Sequence, residues 1–564
     1  MTRKNYNRKK MRIMEKAKQY ERLEFSLKEL KNADKIEVIT PNGSAEYVFP
    51  FLYQPIDISY DGMGIEHIKP NGNTYLKFRY TLKSIGNYKF NVYANSKLLD
   101  TYKVISEESD LHGFVKVSDK DRRYFEYSDK TPFLPIGLNA VYATAYEASD
   151  GSEFGTTDNI IYLGLKQYES WFRKCKKNGV NLIRLWLGHK YFSPDTEEVG
   201  VLKYEQFTKL DMLIELAEKY GIKLKLTLEH FRFFSKNHVG IAKIFEKTLR
   251  LNGKSCPSVS EWITDSNWKD GWFFKVNEIA KRYAGDTNIF AFEFWNEMNC
   301  VDCDFGDVIA WNKEMLERTK KVVHDNMIIN SLGSFDCDLM ENKYSRFPWE
   351  EFSFKQVHSY LDCGAEKEVC RHSLIDLMED NFKKHIPKNM PVVIAETGAV
   401  NNCHSGPFRY YASDDNGIIF ADAIYSPFFM GSAGCGQIWH WETYVENKKL
   451  FGMYKPFHEL TKNINLAEEH FISKNLSNDE TYALVLEGDN HILVYIRNRC
   501  DNWENTLRDL NDVKSVDFDL KIGRYSNVKE YKIWDEDIIL ERYSDGVKIN
   551  QITHGLFLKF EKNI

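Results

Sequence analysis

Two glutamates, each closing a run of buried-looking residues, are the side chains of this sequence best placed to do chemistry. The first run begins at Ile289 and ends in Phe294-Trp295-Asn296-Glu297; the second, Pro391-Val392-Val393-Ile394-Ala395, ends in Glu396. An apolar run that breaks into polar residues reads as a buried strand delivering them at its C-terminal tip. In a barrel of parallel strands that tip is where reactions are carried out. Two carboxyl groups flanking one bond are what glycosidic cleavage needs: a proton donor and a nucleophile or base. Taken singly, a glutamate after a strand is as often a solvated loop residue or a helix cap. The pairing of Glu297 with Glu396 at two strand tips gives the chemistry its weight. A separation of about 5 Å predicts retention through a covalent intermediate, and a wider gap predicts inversion.

Other strand ends carry polar groups of a matching kind. Asn296 adjoins Glu297 and can donate to a sugar 2-hydroxyl. Arg184 lies inside the apolar run Leu182-Ile183-Arg184-Leu185-Trp186. An inward arginine is costly to bury unpaired, so a carboxylate is expected on it, with Glu396 the candidate; such a partner would keep Glu396 ionised as a nucleophile. An unrelated structural ion pair is the bland alternative. His230 follows a third strand, and His358 with Tyr360 ends a sixth, where a tyrosine hydroxyl could orient the nucleophile. Trp439 and Trp441 alternate on an eighth strand, so either could floor a sugar site or simply fill the core. Cys300-x-x-Cys303 is a lone pair beside Asp302, Asp304 and Asp307, which read as loop acids, so no metal is expected. There is no Gly-x-Ser-x-Gly elbow and no phosphate-binding loop.

The elements that must position these groups fall into three blocks. Lys35 to Val117 is a series of short strands divided by turns such as Pro41-Asn42-Gly43 and Asn71-Gly72-Asn73, the pattern of a sandwich. From Phe133 strands and helices alternate: strands Pro132–Asn139, Val180–Leu187, Lys223–Leu228, the Ile289 run, Ile328–Leu332, Phe354–Tyr360, Pro391–Ala395 and Gly434–Trp441. Helices are expected at Tyr168–Asn178, Phe207–Tyr220, Trp268–Ala284, Val308–His324, Ser373–His385 and Gly417–Phe429. After about Leu466 the signals are β again. The expected fold is α/β: a (β/α)8 TIM barrel flanked by an N-terminal and a C-terminal β-sandwich. The expected boundaries are a basic tail at 1–18, a sandwich at 19–118, the catalytic barrel at 119–465 and a second sandwich at 466–564. Residues 1–18 could be helical, and Gln19 to Leu27 is left open between helix and strand.

Bulk properties narrow the partners. A chain of 564 residues is too long for one core. A net charge of -6 supplies no electrostatic reason for a nucleic-acid or anionic-membrane partner. No run is apolar and long enough to span a bilayer. An aromatic content of 14 % tilts mildly toward carbohydrate, although bulky cores explain it equally well. The 10 cysteines, scattered through core-like segments (Cys175, Cys256, Cys435) and loops (Cys363, Cys370, Cys403), lack a disulfide-framework spacing. With no hydrophobic stretch after the basic residues Met1 to Lys10, the cytoplasm is the expected location. A secreted protein whose signal has been removed is the alternative.

At this point the residues resemble glycoside hydrolase clan A, the retaining (β/α)8 enzymes that include the family 5 cellulases and mannanases. Phe294-Trp295-Asn296-Glu297 resembles the clan's strand-four acid/base motif, and Ile394-Ala395-Glu396-Thr397-Gly398 its strand-seven nucleophile motif. Arg184, His358, Tyr360 and a strand-eight tryptophan match further positions. His112-Gly113-Phe114-Val115, Arg123-Tyr124-Phe125 and Thr131-Pro132-Phe133-Leu134-Pro135-Ile136-Gly137 resemble the sandwich–barrel junction of a bacterial cellulase-like subgroup. Trp439-His440-Trp441-Glu442-Thr443-Tyr444 resembles that subgroup's Trp-Trp-Trp-Asp-x-Tyr stretch but departs from it at His440 and Glu442. The resemblance implies a retaining mechanism without a cofactor, with Glu297 as acid/base and Glu396 as nucleophile, on a β-glycosidic substrate whose sugar it does not identify. Because intact polysaccharide does not reach the cytoplasm, a β-linked oligosaccharide or glycoside, of the β-mannoside or β-glucoside type, is the expected substrate. A secreted endo-acting β-mannanase or cellulase, and a non-catalytic carbohydrate-binding protein, are the alternatives. Oligomeric state is left open, a homo-oligomer included.

Overall fold

The computed structural model describes residues 5–6, 15–146, 160–188, 191–230, 249–334, 336–385, 389–402, 404 and 406–562. Most of the expected tail at 1–18 and Cys403 lie outside the described residues.

A ring of parallel strands carries the candidate residues. β1 (Gly137–Asn139) pairs with β2 (Leu182–Trp186), β2 with β3 (Lys223–His230), β3 with β4 (Ile289–Asn296), and β4 with β5 (Met327–Ile329), all in parallel. β6 (Lys355–Asp362) and β7 (Val392–Val400) form a further parallel pair. Ile438 bridges both Leu138 of β1 and Thr397 of β7 in parallel, joining the two sets. On the opposite side the Ser353 amide, just before β6, donates to Ile328 O of β5 at 3.0 Å. β2, β4 and β7 are buried at every position. They face helices on one side and the ring interior on the other, which is why their sequences run apolar without alternating.

Helices follow the strands in turn: α1 (Gly164–Asn178), α2 (Tyr204–Tyr220), α3 (Ser266–Tyr283), α4 (Phe305–Lys320), α5 (Asp338–Arg346), α6 (Leu374–His385), α7 (Ile418–Phe429) and α8 (Tyr454–Thr461). In α1 Tyr168, Trp171, Phe172 and Cys175 make one buried stripe at helical spacing. Gly179 ends that helix at φ 82, a left-handed turn in which its N–H caps Cys175 O.

Two sheets at each end of the chain flank the ring. The N-terminal pair shares one core, with Leu23, Phe25 and Phe78 of one sheet against Val38, Phe90 and Val92 of the other. The C-terminal pair does the same through Val485, Val494 and Leu558 against Phe518, Val547 and Ile549. Thr481–Glu487 and His491–Asn498 are buried on both faces because their second face meets the ring's helices; Phe557 beside them stacks on Phe429 of α7, with centroids 5.8 Å apart. Arg79 of the N-terminal sheets grips Asp211 of α2 with two hydrogen bonds of 2.8 and 2.6 Å. No helix among the described residues is long and apolar enough to cross a membrane.

Several expectations need correction. Glu15–Lys18, assigned to the tail, is a strand parallel to Lys97–Glu107, and Arg22–Ser26 is a strand too. Pro132–Phe133 does not run into β1. It joins an antiparallel sheet with Phe125–Tyr127 and Val115–Val117 that covers the N-terminal end of the ring, Phe125 packing on Phe290 and Phe354 at 5.2 Å each. Gly434–Trp441 makes only single bridges at Ile438, and Trp441 opens a π-helical turn, Trp441–Glu446; the glycines at 434 and 436 let the chain approach Pro135 and Ala423 closely without building a ladder. α5 was not foreseen, and the strands Lys97–Glu107, Ile472–Asn475, Ile539–Arg542 and Gly546–Ile552, which fall inside the blocks expected to be β, were not placed individually.

Candidate active site

The structure brings Glu297 and Glu396 together. His358 of β6 lies between them, its Nδ1 2.9 Å from Glu297 Oε1 and 3.4 Å from Glu396 Oε2. Oxygens of the two carboxylates and a ring nitrogen of His358 all lie within 4.8 Å of one another. Glu297 follows the last residue of β4 in a left-handed conformation, φ 54 and ψ 50. A non-glycine residue holds that conformation only where its surroundings impose it. Here the chain after β5 does so: the Glu297 N–H donates to Ser331 Oγ at 3.1 Å, and Trp295 N–H donates to Asn330 Oδ1 at 2.9 Å. Glu396 lies inside β7, which runs on to Val400.

The donors around Glu396 are those that sequence reasoning named. Tyr360 Oη donates to Glu396 Oε2 at 2.7 Å, and Arg184 Nη1 donates to Oε1. Arg184 also holds Asn296, whose Oδ1 accepts from Nη2 at 2.6 Å. Burial and then Glu396 push the Tyr360 hydroxyl far above its ordinary value, so it stays a donor. Burial pushes His358 down to about 4 against the pull of Glu396, leaving a neutral imidazole in the neutral range.

Glu293 is the functional residue that sequence reasoning missed. It sits four residues before Glu297 on β4 and accepts from Arg184 Nε at 2.8 Å and Nη2 at 2.6 Å, and from Thr227 Oγ1 at 2.8 Å. Burial works against its charge, yet Arg184 holds it down to about 2. The available signal was a lone acid inside an apolar strand, the same signal that singled out Arg184.

An aromatic wall borders the carboxylates. Trp186 stacks near His230 at 4.5 Å and Trp439 at 5.0 Å, and Trp439 meets Trp441 edge-on at 5.5 Å. Trp441, also against Tyr142, is buried, as is His230; Trp439 keeps an accessible face. The two tryptophans therefore touch, but not as alternating residues of one strand. Beside Glu297 a cavity opens, lined by Gly333, Ser334, Ser359, Tyr360, Asp336 and Asp362. A Cβ on Gly333 would lie 3.4 Å from Glu297 Oε1, so glycine keeps that side of the carboxylate clear.

Two groups of described residues have metal-ligand spacing: Glu297 with His358 and Glu396, and Asp336 with Asp362 and His404. Neither contains Cys300 or Cys303. Asp304, expected as a loop acid, caps α4 by accepting from Gly306 N at 2.7 Å, and Asp307 lies in the helix's first turn. Both oxygens of Glu396 are taken by Arg184 and Tyr360, and Asp362 accepts from Gly364 N and His404. The nine described cysteines form no disulfide.

Paired carboxylates at the C-terminal ends of parallel strands, held by an arginine, a tyrosine and a histidine, are the arrangement that glycosidic hydrolysis requires. Comparison with known proteins specifies the kind. Residues 147–419 match the cellulase model of glycosyl hydrolase family 5, which implies a (β/α)8 barrel. Mannan endo-1,4-beta-mannosidase 5 of Solanum lycopersicum is 23 % identical over 330 residues, 52 % of this chain and 74 % of that one. Mannan endo-1,4-beta-mannosidase 1 of Oryza sativa subsp. japonica is 24 % identical over 219 residues, 37 % of this chain and 47 % of that one. A solved structure from Bacteroides vulgatus ATCC 8482, provisionally described as a glycoside hydrolase, matches with a TM-score of 0.57 at 14 % identity, covering 97 % of this chain and 100 % of that one; the likeness is one of fold. These matches support a clan A, cellulase- and mannanase-like retaining glycoside hydrolase.

Proposed function

We propose that the enzyme cleaves β-linked oligosaccharides or glycosides of the β-mannoside or β-glucoside type by double displacement, with Glu297 as acid/base and Glu396 as nucleophile. The observation that carries this reading is the approach of the two carboxylates, whose oxygens lie within 4.8 Å. An approach this close favours the short spacing of retaining enzymes, about 5–5.5 Å between carboxyl groups, over the wider spacing of about 6.5–9.5 Å that inversion needs. In the first step Glu396 bonds to the anomeric carbon as the glycosidic bond breaks, and the Glu297 proton passes to the leaving oxygen. In the second, Glu297 takes a proton from water while that water attacks the anomeric carbon and frees Glu396.

The neighbours have matching parts. Arg184 and Tyr360 orient Glu396. Asn296, its oxygen taken by Arg184, has its N–H donors left for the sugar 2-hydroxyl. The accessible face of Trp439 floors a sugar ring, with Trp186, His230 and Trp441 bracing it from behind. The names of the curated relatives favour a mannoside. We further read the flanking sheet pairs as sandwich domains of about residues 19–118 and 466–564, with the catalytic barrel between them.

Glu297→Ala and Glu396→Ala, assayed on aryl β-mannosides and β-glucosides, test the assignment. Each is expected to lose at least about a hundredfold in rate, and the wild-type product should first appear as the β-anomer by NMR. Loss from neither variant, or an inverted first product, removes the reading.

A further inference from the structure

Beneath the two glutamates the ring interior is polar, where barrel interiors are ordinarily filled by branched apolar side chains. Lys225 of β3 is 0 % exposed and is the register neighbour of Arg184 on β2. Its ammonium donates to Gln356 Oε1 of β6 and, at 3.1 Å, to Gln437 Oε1. Gln356 in turn donates to Asn330 O at 3.3 Å. Among the described residues these two neutral amide oxygens are the only acceptors on Nζ. A buried ammonium without a carboxylate on it is costly and calls for charge compensation nearby. The cluster with Arg184 supplies it: one guanidinium faces two carboxylates, Glu293 and Glu396, which leaves one negative charge in excess.

We propose that Lys225 is a positioning residue of the hydrolytic centre, whose ammonium offsets the surplus charge of the Arg184–Glu293–Glu396 cluster and keeps it ionised when substrate excludes water. The inference rests on reading Glu396 as the nucleophile. Lys225 also joins β3 to β6 through Gln356 and to the Gly434–Trp441 segment through Gln437, so it anchors the floor on which the cluster stands. The charged and titratable groups facing it are Arg184 from β2, Glu293 from β4, His358 from β6 and Glu396 from β7. Burial and Arg184 push Lys225 down to about 7, against Glu293 and Glu396, so it carries its charge throughout the acidic range. His358 is neutral above about 4 and adds no competing cation there.

The test is the pH dependence of kcat/KM on an aryl β-glycoside for the enzyme and four variants, with folding checked by circular dichroism. The acidic limb reports the coupled carboxylates as a set. Lys225→Met removes the cation and is expected to move that limb up by about one pH unit, a loss of about tenfold below it. Lys225→Arg keeps the cation and the limb. Gln356→Glu sets a carboxylate directly on the Lys225 ammonium, taking up the charge that otherwise offsets the cluster, and is expected to move the limb up as well, which serves where Lys225→Met does not fold. A limb that stays in place while the rate falls equally at every pH overturns the inference, because Lys225 then acts only through packing. Glu396→Ala in the same assay separates the two failures: wild-type activity there defeats the nucleophile reading itself, whereas an inactive Glu396→Ala with an unmoved limb defeats only the role of Lys225.

Discussion

Arg184 and Glu293 form a two-point ion pair in which neither side chain reaches solvent, with Nε to Oε2 at 2.8 Å and Nη2 to Oε1 at 2.6 Å. Because the same guanidinium also holds Glu396 and Asn296, the pair fixes the height and tilt of two site residues at once. Glu293→Ala leaves a buried guanidinium short of one anion, and its expected cost is about 3–5 kcal/mol. Glu293→Gln keeps the shape and one acceptor and should cost less. Urea unfolding of both variants checks this; equal midpoints for wild type and Glu293→Ala would refute it.

Tyr360→Phe removes the hydroxyl that donates to Glu396 at 2.7 Å. A hydrogen bond to a charged group contributes about 1.5–3 kcal/mol, so kcat is expected to fall roughly tenfold to a hundredfold. Steady-state kinetics would show the loss mainly in kcat, since the lost contact is to the carboxylate and not to the sugar.

Acid should destabilise the fold through two buried histidines. Burial pushes His358 down to about 4 and His440 down to about 3, from 6.5 when exposed. A depressed folded value means that the unfolded chain binds the extra proton first. The stability these neutral rings contribute is therefore complete above about 6.5 and is lost as pH falls toward 4 and 3. Neither ring nitrogen of His440 has a hydrogen-bond partner among the described residues, so His440→Phe removes its share without breaking any bond seen there. Urea midpoints at pH 7 and pH 5 should differ less in His440→Phe than in wild type; an unchanged difference contradicts the account.

Glu66, on the hairpin of strands Ile56–Tyr60 and Glu66–Pro70, ties that hairpin to the start of α1. Its carboxylate accepts from Leu165 N at 2.7 Å, Tyr191 Oη at 2.6 Å and Tyr60 Oη at 3.0 Å. Glu66→Ala is expected to cost about 1–3 kcal/mol, the penalty for stranding buried donors. Gly164, at φ 64, admits that contact: a Cβ there would lie 2.0 Å from Glu66 Oε2. Gly164→Ala should therefore also destabilise, and the double variant should cost less than the sum. Thermal unfolding of the three variants measures the coupling.

The alternation of strand and helix, and the two strand tips ending in Glu297 and Glu396, were legible in the sequence because burial on both faces writes itself locally as an apolar run. So was the need of Arg184 for a carboxylate, since an arginine in such a run has no other way to be buried. The partner Glu293 was not legible. Whether a side chain in a doubly buried strand points at the interior or at a helix leaves no trace in an unalternating pattern, and only the closed ring of strands assigns it. The same holds for Lys225, whose acceptors come from segments 131 and 212 residues away. Gly434–Trp441 reads as a strand by composition but makes only bridges at Ile438, because pairing depends on what lies alongside. The sequence by itself determined which residues could do chemistry and in what order their strands come. The tertiary structure decided which of them meet, by bringing β2, β4, β6 and β7 to one mouth where Arg184, Glu297, His358 and Glu396 share a few ångströms.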